Sequence, residues 1–157
     1  MAKNLKNLSE EGKLEVKMIM ERKMSDPSYI KQDRYTGCLL WRGAVSGGSA
    51  AWGRGEYSAI NFRSSSGLFK PFQVGGHIVQ LFLKTGQIPS PPLTGVSHLC
   101  HKKLCLNSGH LILESIQRNN SRKACNGKPG QKRECRDKSH SPQCFSETTI
   151  WIWYVMI

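Results

Sequence analysis

The chain has 157 residues, a formal net charge of +12, and only 38% hydrophobic and 8% aromatic residues. That length suits one domain with a modest core, and that charge favours polyanions, nucleic acid ahead of an anionic membrane surface. No stretch approaches the roughly 20 apolar residues of a spanning helix, and the N-terminus has no signal-peptide core, so no membrane association is expected.

Residues 9–24 have the pattern of a helix. Ser9 can cap it, Glu10 and Glu11 suit its N-terminal end, Arg22 and Lys23 its C-terminal end, and Pro27 stops it. Leu14, Met18 and Ile19 are predicted as its apolar stripe. From Gly37 to Gln73 the pattern turns to strands. Cys38-Leu39-Leu40-Trp41 is a short apolar run, and residues 52–63 and 68–74 flank the turn-like Ser64-Ser65-Ser66-Gly67, so residues 37–75 are expected to form an antiparallel sheet. Strict alternation puts Arg54, Glu56 and Ser58 on one face and Asn61 and Arg63 on the other.

Residues 77–84 read as a short helix, with Ile78, Leu81 and Phe82 at helical spacing and Gly86 as its stop. His77, with no cysteine nearby, is expected to pack or cap. Residues 118–138 are strongly basic, with Arg118, Arg122, Lys123, Lys128, Lys132, Arg133, Arg136 and Lys138 against Glu134 and Asp137. Threaded through a cysteine cluster, such a run is fixed in place and can meet phosphates. The apolar end, residues 147–157, is expected to pack on its own core or to cross to a second subunit as an exchanged arm.

The six cysteines and five histidines carry the chemistry. Interleaved histidines at ligand spacing argue for zinc over a secreted disulfide framework, and hence for a reducing compartment, cytosol or nucleus. Cys100, Cys105 and His110 form one tight set with a vacancy. Cys38 has no other partner and is assigned there; were it elsewhere, three ligands and a water would remain. Cys125, Cys135, His140 and Cys144 form a second set. Four strong protein ligands leave no position for water, so both zincs are expected to be structural. Binding metal would then contribute directly to folding. His98 is left over beside the first set. His101 is expected to be a polar loop residue or phosphate contact.

Ser97-His98-Leu99-Cys100-His101, with Cys105, Asn107, His110-Leu111, Glu114-Ser115, Asn119 and Arg122 at their present spacing, resembles the His-Cys box homing endonucleases, which are encoded by mobile introns. The resemblance is specific over residues 97–125. The second cluster fits the family's order of Cys, Cys, His, Cys, and upstream of residue 90 the likeness is faint. The resemblance implies an α+β fold of small antiparallel sheets and helices with a ββα-metal core, stapled by two structural zincs. It also implies a nuclear homodimer that cuts both strands of a near-palindromic DNA site, with ribosomal DNA as the expected target. His98 would be the general base and Asn119 the ligand of one catalytic magnesium. An arginine of the sheet would touch the scissile phosphate, Arg63 first and Arg54 second. Residues 1–157 would form one domain: the N-terminal helix 9–24, a DNA-reading sheet 37–75, a core 96–125, the second zinc cluster 125–144 and a dimer arm 147–157.

Physical chemistry agrees with that assignment. Phosphodiester hydrolysis needs an activated water and relief of charge on the leaving oxygen. Histidine can take the water's proton near neutral pH, and a backbone carbonyl in the zinc loop could fix its tautomer. An amide oxygen suits magnesium, which prefers oxygen and keeps several waters. A β ribbon fits the major groove, and Arg54, Asn61, Arg63, Lys70 and Gln73 are the candidates for contact with DNA. The competing reading is a zinc-stabilised module, or a decayed homing enzyme, that binds DNA or RNA without cutting. Only an enzyme requires His98 together with Asn119.

Overall fold

The computed structural model describes residues 3–46, 57–126, 135 and 140–144. Among these residues it is an α+β fold of three small antiparallel sheets and helices. Among the described residues no helix is long and apolar enough to cross a membrane.

After the one-turn helix α1 (Lys3–Lys6) comes α2 (Glu10–Ser25). Ser9 accepts a hydrogen bond from the Gly12 amide at 3.1 Å and so starts the helix. The buried face of α2 is Gly12, Val16 and Met20, whereas Leu14 and Met18 lie 58% and 60% exposed. This corrects the predicted stripe at Leu14 and Met18, while Ile19, its third member, does pack against the core. Both sets repeat at i, i+4, and contact with Leu5, Ile30 and the sheet decides which one turns inward.

Strands β1 (Ile30–Asp33) and β2 (Cys38–Trp41) form a hairpin in which Asp33 faces Cys38 and Ile30 faces Trp41. Its turn is held by the Asp33 carboxylate, which accepts from the Tyr35 amide at 3.1 Å and the Thr36 hydroxyl at 2.7 Å. A separate sheet is built from β3 (Val45–Ser46), β4 (Tyr57–Phe62) and β5 (Phe72–Gly75), in that order. Residues 37–75 thus form two sheets rather than one. Ser58 is fully buried, on the same strand face as Ile60 and Phe62, and its hydroxyl accepts from the Gly76 amide at 3.0 Å. It therefore leaves the polar face on which alternation with Arg54 and Glu56 put it. Helix α3 (Gly76–Thr85) follows and ends at Gly86, whose φ of 71° is the left-handed cap that glycine adopts without strain.

The third sheet is the hairpin of β6 (Thr94–His98) and β7 (Leu111–Ser115), with α4 (Ile116–Arg122) directly behind. Together these make a ββα unit. The loop between its strands also docks on β2: Trp41 N donates to Leu104 O at 2.9 Å and Leu106 N to Leu39 O at 2.8 Å. Core residues Val16, Met20, Trp41, Ile60, Phe62, Val79 and Leu106 pack in one cluster, so α2, α3, the first two sheets and the loop between β6 and β7 rest on shared apolar surface.

Candidate active site and metal centres

The loop docking on β2 brings Cys38 to the ββα hairpin. Cys38, Cys100, Cys105 and His110 place their ligand atoms within 4.8 Å of one another. The Cys38 and Cys105 sulfurs each stand 3.5 Å from His110 Nδ1. Zinc bonds of about 2.1 Å to nitrogen and 2.3 Å to sulfur span such separations in a tetrahedron. Hydrogen bonds from Cys100 and Cys105 hold the Cys38 thiol far below its usual range, while the same crowding pushes Cys100 far up. Burial opposes a charged His110, yet the Cys105 and Cys38 sulfurs raise it to about 9. Three thiols and an imidazole at this spacing are a donor set that a dication satisfies. Asn107 supports it from outside, donating to Gly37 O at 2.8 Å with its amide 3.3 Å from His110 Nε2.

The second set, Cys125, Cys135, His140 and Cys144, meets the same 4.8 Å limit. His140 Nδ1 lies 3.5 Å from Cys125 and 3.4 Å from Cys135. On the other side of the ring, Nε2 lies 2.7 Å from Ser121 Oγ, whose own proton goes to Arg118 O. Ser121 therefore accepts from Nε2–H, and Nδ1 is the lone pair left for metal. None of the six cysteines forms a disulfide.

Arg122 belongs to this scaffold, correcting its place among phosphate contacts. It is 2% exposed. Its guanidinium grips Glu114 of β7 at 2.7 and 2.9 Å and donates to Pro142 O at 2.9 Å and to Cys144 Sγ at 3.5 Å. The cue in the sequence is Glu114 itself, an acid in the strand preceding the helix.

His98 ends β6. It is not in either metal set. Its ring bonds the Cys105 backbone in the zinc loop, and Nε2 is buried with no hydrogen-bond partner among the described residues. The bonded atom is therefore Nδ1, and the neutral tautomer leaves a lone pair on Nε2. Burial, against the pull of the Cys105 carbonyl, holds the ring down to about 4.

Two residues that the sequence reading did not place here pack beside it. The His77 and Tyr57 rings are centred 5.3 and 6.2 Å from His98 and 5.0 Å from each other. His77 is buried in the first turn of α3, with Nδ1 unpartnered among the described residues. Its ring lies so close to Gly75 that a Cβ there would stand 2.7 Å from Cε1. No ligand spacing marks either residue in the sequence; only folding β4 and α3 onto β6 joins them.

Asn119 lies on α4, which crosses β6. Its amide nitrogen is 3.4 Å from where a Cβ on Gly95 would sit. Gly95 precedes His98 by about 10 Å of strand. Arg63 sits elsewhere: it follows β4 at the end opposite Tyr57, about 20 Å of chain away, and faces Arg22, Lys23 and Tyr29. The structure therefore does not bring Arg63 to His98. Arg54 and residues 147–157 lie outside the described residues. Asn61, Lys70 and Gln73 are exposed, and Gln73 donates to Asn61 across the β4–β5 ladder at 3.0 Å.

Residues 77–152 match the family model of the zinc-binding loop region of homing endonuclease. No curated protein matches the chain.

Proposed function

We propose that this chain, which over residues 77–152 carries the zinc-binding loop region of the homing endonucleases as a His-Cys box enzyme would, is a magnesium-dependent, sequence-specific DNA endonuclease. The observation that carries the reading is His98: an imidazole fixed through Nδ1 by the zinc loop, with Nε2 unspent at the end of a ββα hairpin. His77 beside it also leaves a ring nitrogen unpartnered among the described residues; what sets His98 apart is the hold of the zinc loop on its Nδ1 and its place at the end of the hairpin.

In this reading His98 Nε2 takes the proton of a water that attacks the phosphorus of a backbone phosphate. Cys105, through its carbonyl, holds the ring in the accepting tautomer, and a zinc held by Cys38, Cys100, Cys105 and His110 would fix the loop that aims the base. Tyr57 and His77 pack beside the ring, with centres 6.2 and 5.3 Å from it, and limit its movement. Asn119 offers one amide oxygen for magnesium, and that ion, when bound, relieves charge on the leaving oxygen. Its donor fits, since magnesium is held by few protein oxygens and completed by water and phosphate. Arg63 lies at the end of β4 opposite Tyr57, too distant from His98 for the scissile-phosphate role, so in this reading that role passes to Arg54, the second candidate of the sequence. Exposed Asn61, Lys70 and Gln73 face the DNA, and double-strand cutting of a near-palindromic site in nuclear ribosomal DNA calls for a homodimer.

The test is cleavage of a panel of plasmids carrying candidate ribosomal sequences, with and without magnesium. The wild-type protein cuts only with the metal. His98→Ala loses cutting by about 100-fold or more while its affinity for DNA is nearly kept. A wild-type protein that binds tightly but nicks nothing under any divalent metal would leave a zinc-stabilised binding module instead.

A further inference from the structure

A second cationic feature lies away from both metal clusters. A cavity of about 310 Å³ is lined by Arg22, Lys23, Asp26, Tyr29, Asn61 and Arg63. Arg22 and Lys23 come from the last turn of α2. Tyr29 stacks on Trp41 with ring centres 5.3 Å apart and carries the Lys23 ammonium 4.5 Å from its own centre. Against these three cations stand the Asp26 carboxylate, which accepts from the Ser28 amide at 2.8 Å, and the carbonyl end of α2, equivalent to about half a charge. The balance is roughly +1.5.

The cavity is held in shape. Directly after Arg63 the chain is pinned to α2 by Glu15, whose carboxylate accepts from Ser64 Oγ at 2.6 Å, Ser65 N at 2.7 Å, Ser65 Oγ at 2.9 Å and Ser66 Oγ at 3.0 Å. Arg63 is thus fixed against the helix that bears Arg22. Both guanidiniums are exposed, so they can meet an anion with little loss of hydration. Tyr57 and Asn61 share one face of β4 by alternation, and Arg63 follows its end, so the strand runs from the His98 ring at one end to this cavity at the other.

The geometry points to a phosphate clamp for duplex DNA, in which Arg22 and Arg63 hold a backbone phosphate about 20 Å, or roughly six base pairs, from the bond that is cut beside His98. This rests on the nuclease reading and extends it: α2, and not the sheet alone, joins the DNA interface. The fork of a guanidinium matches two phosphate oxygens, and each contact displaces a condensed counterion.

The test is the salt dependence of binding to a 30-base-pair duplex of mixed sequence, without magnesium. Arg22→Gln with Arg63→Gln should flatten the slope of log affinity against log salt by about 2. The control is Lys6→Gln with Arg34→Gln, which removes the same charge elsewhere and should leave the slope near that of the unsubstituted protein. Unaltered zinc content and melting temperature establish that each variant is folded. An unchanged slope for the Arg22/Arg63 variant overturns the clamp, as does an equal flattening in the control. A flattening seen with single-stranded RNA but not with the duplex overturns it too. If the unsubstituted protein binds no duplex, the nuclease reading itself has failed; if it binds and only the slope prediction fails, the clamp alone is wrong.

Discussion

Arg122 takes a guanidinium into the interior and spends it on Glu114, Pro142 and Cys144 at once. Both partners of the ion pair are nearly inaccessible, at 3% and 6% exposure. Removing one charge strands the other, and the cost of a broken buried pair is about 3–5 kcal/mol. Arg122→Ala should therefore lower stability by about that amount, measured by urea unfolding with zinc present. Arg122→Lys should recover only part of it, since an ammonium cannot hold both carboxylate oxygens in the fork geometry. A loss below about 1 kcal/mol in the alanine variant would mean that Glu114 is resolvated without it. The same residue shows where sequence reading stops: Glu114 hints that some basic side chain pairs with it, but only the fold says that Arg122 is the one that turns inward.

At the scale of elements, the contact between α2 and the loop after β4 is polar, and it responds to pH. Four hydrogen bonds to Glu15, led by that from Ser64, lower its pKa to about 2. The folded value lies below the unfolded one, so the carboxylate binds its proton more weakly in the native state than in the open chain. Its stabilisation is complete above the unfolded value of about 4.3 and is lost as pH falls toward 2. Glu15→Gln should lower the melting temperature at pH 7, and the difference from the unsubstituted protein should shrink steadily below pH 4. An equal difference at pH 7 and pH 2.5 would show that packing, not ionisation, ties the loop to the helix. Local grammar made several elements legible. Ser9 caps α2, Gly86 ends α3, and the spacing of cysteine and histidine located both metal sets, with Cys38 added to the first as the one cysteine left over. The buried stripe of α2 was not legible, because Leu14–Met18 and Val16–Met20 are equivalent until something packs on one of them. The grouping of Tyr57 and His77 around His98 was hidden for the same reason, since each arrives on a different element.

On the scale of the whole molecule, the two metal sets differ in what they join. The first ties β2 to the ββα hairpin, bridging residue 38 to residue 100. Closing a loop of that length restricts the unfolded chain by about 4 kcal/mol if the metal acts as a cross-link. It also anchors the loop whose Cys105 carbonyl holds His98. The second set closes residues 125 to 144 and meets the rest through Ser121 and Arg122. Cys38→Ser should therefore act globally. In a domain whose net stability is on the order of 5–15 kcal/mol, losing the first site should drop the melting temperature steeply and expose β1, β2 and the β6–β7 hairpin to hydrogen exchange together. Cys135→Ser should act locally, speeding exchange from α4 onward while Val16, Ile60 and Val79 keep their protection. Each variant should bind one zinc where the unsubstituted chain binds two. If both lose the same stability over the same amides, the two sites form one cooperative scaffold, and the division of labour between them is wrong.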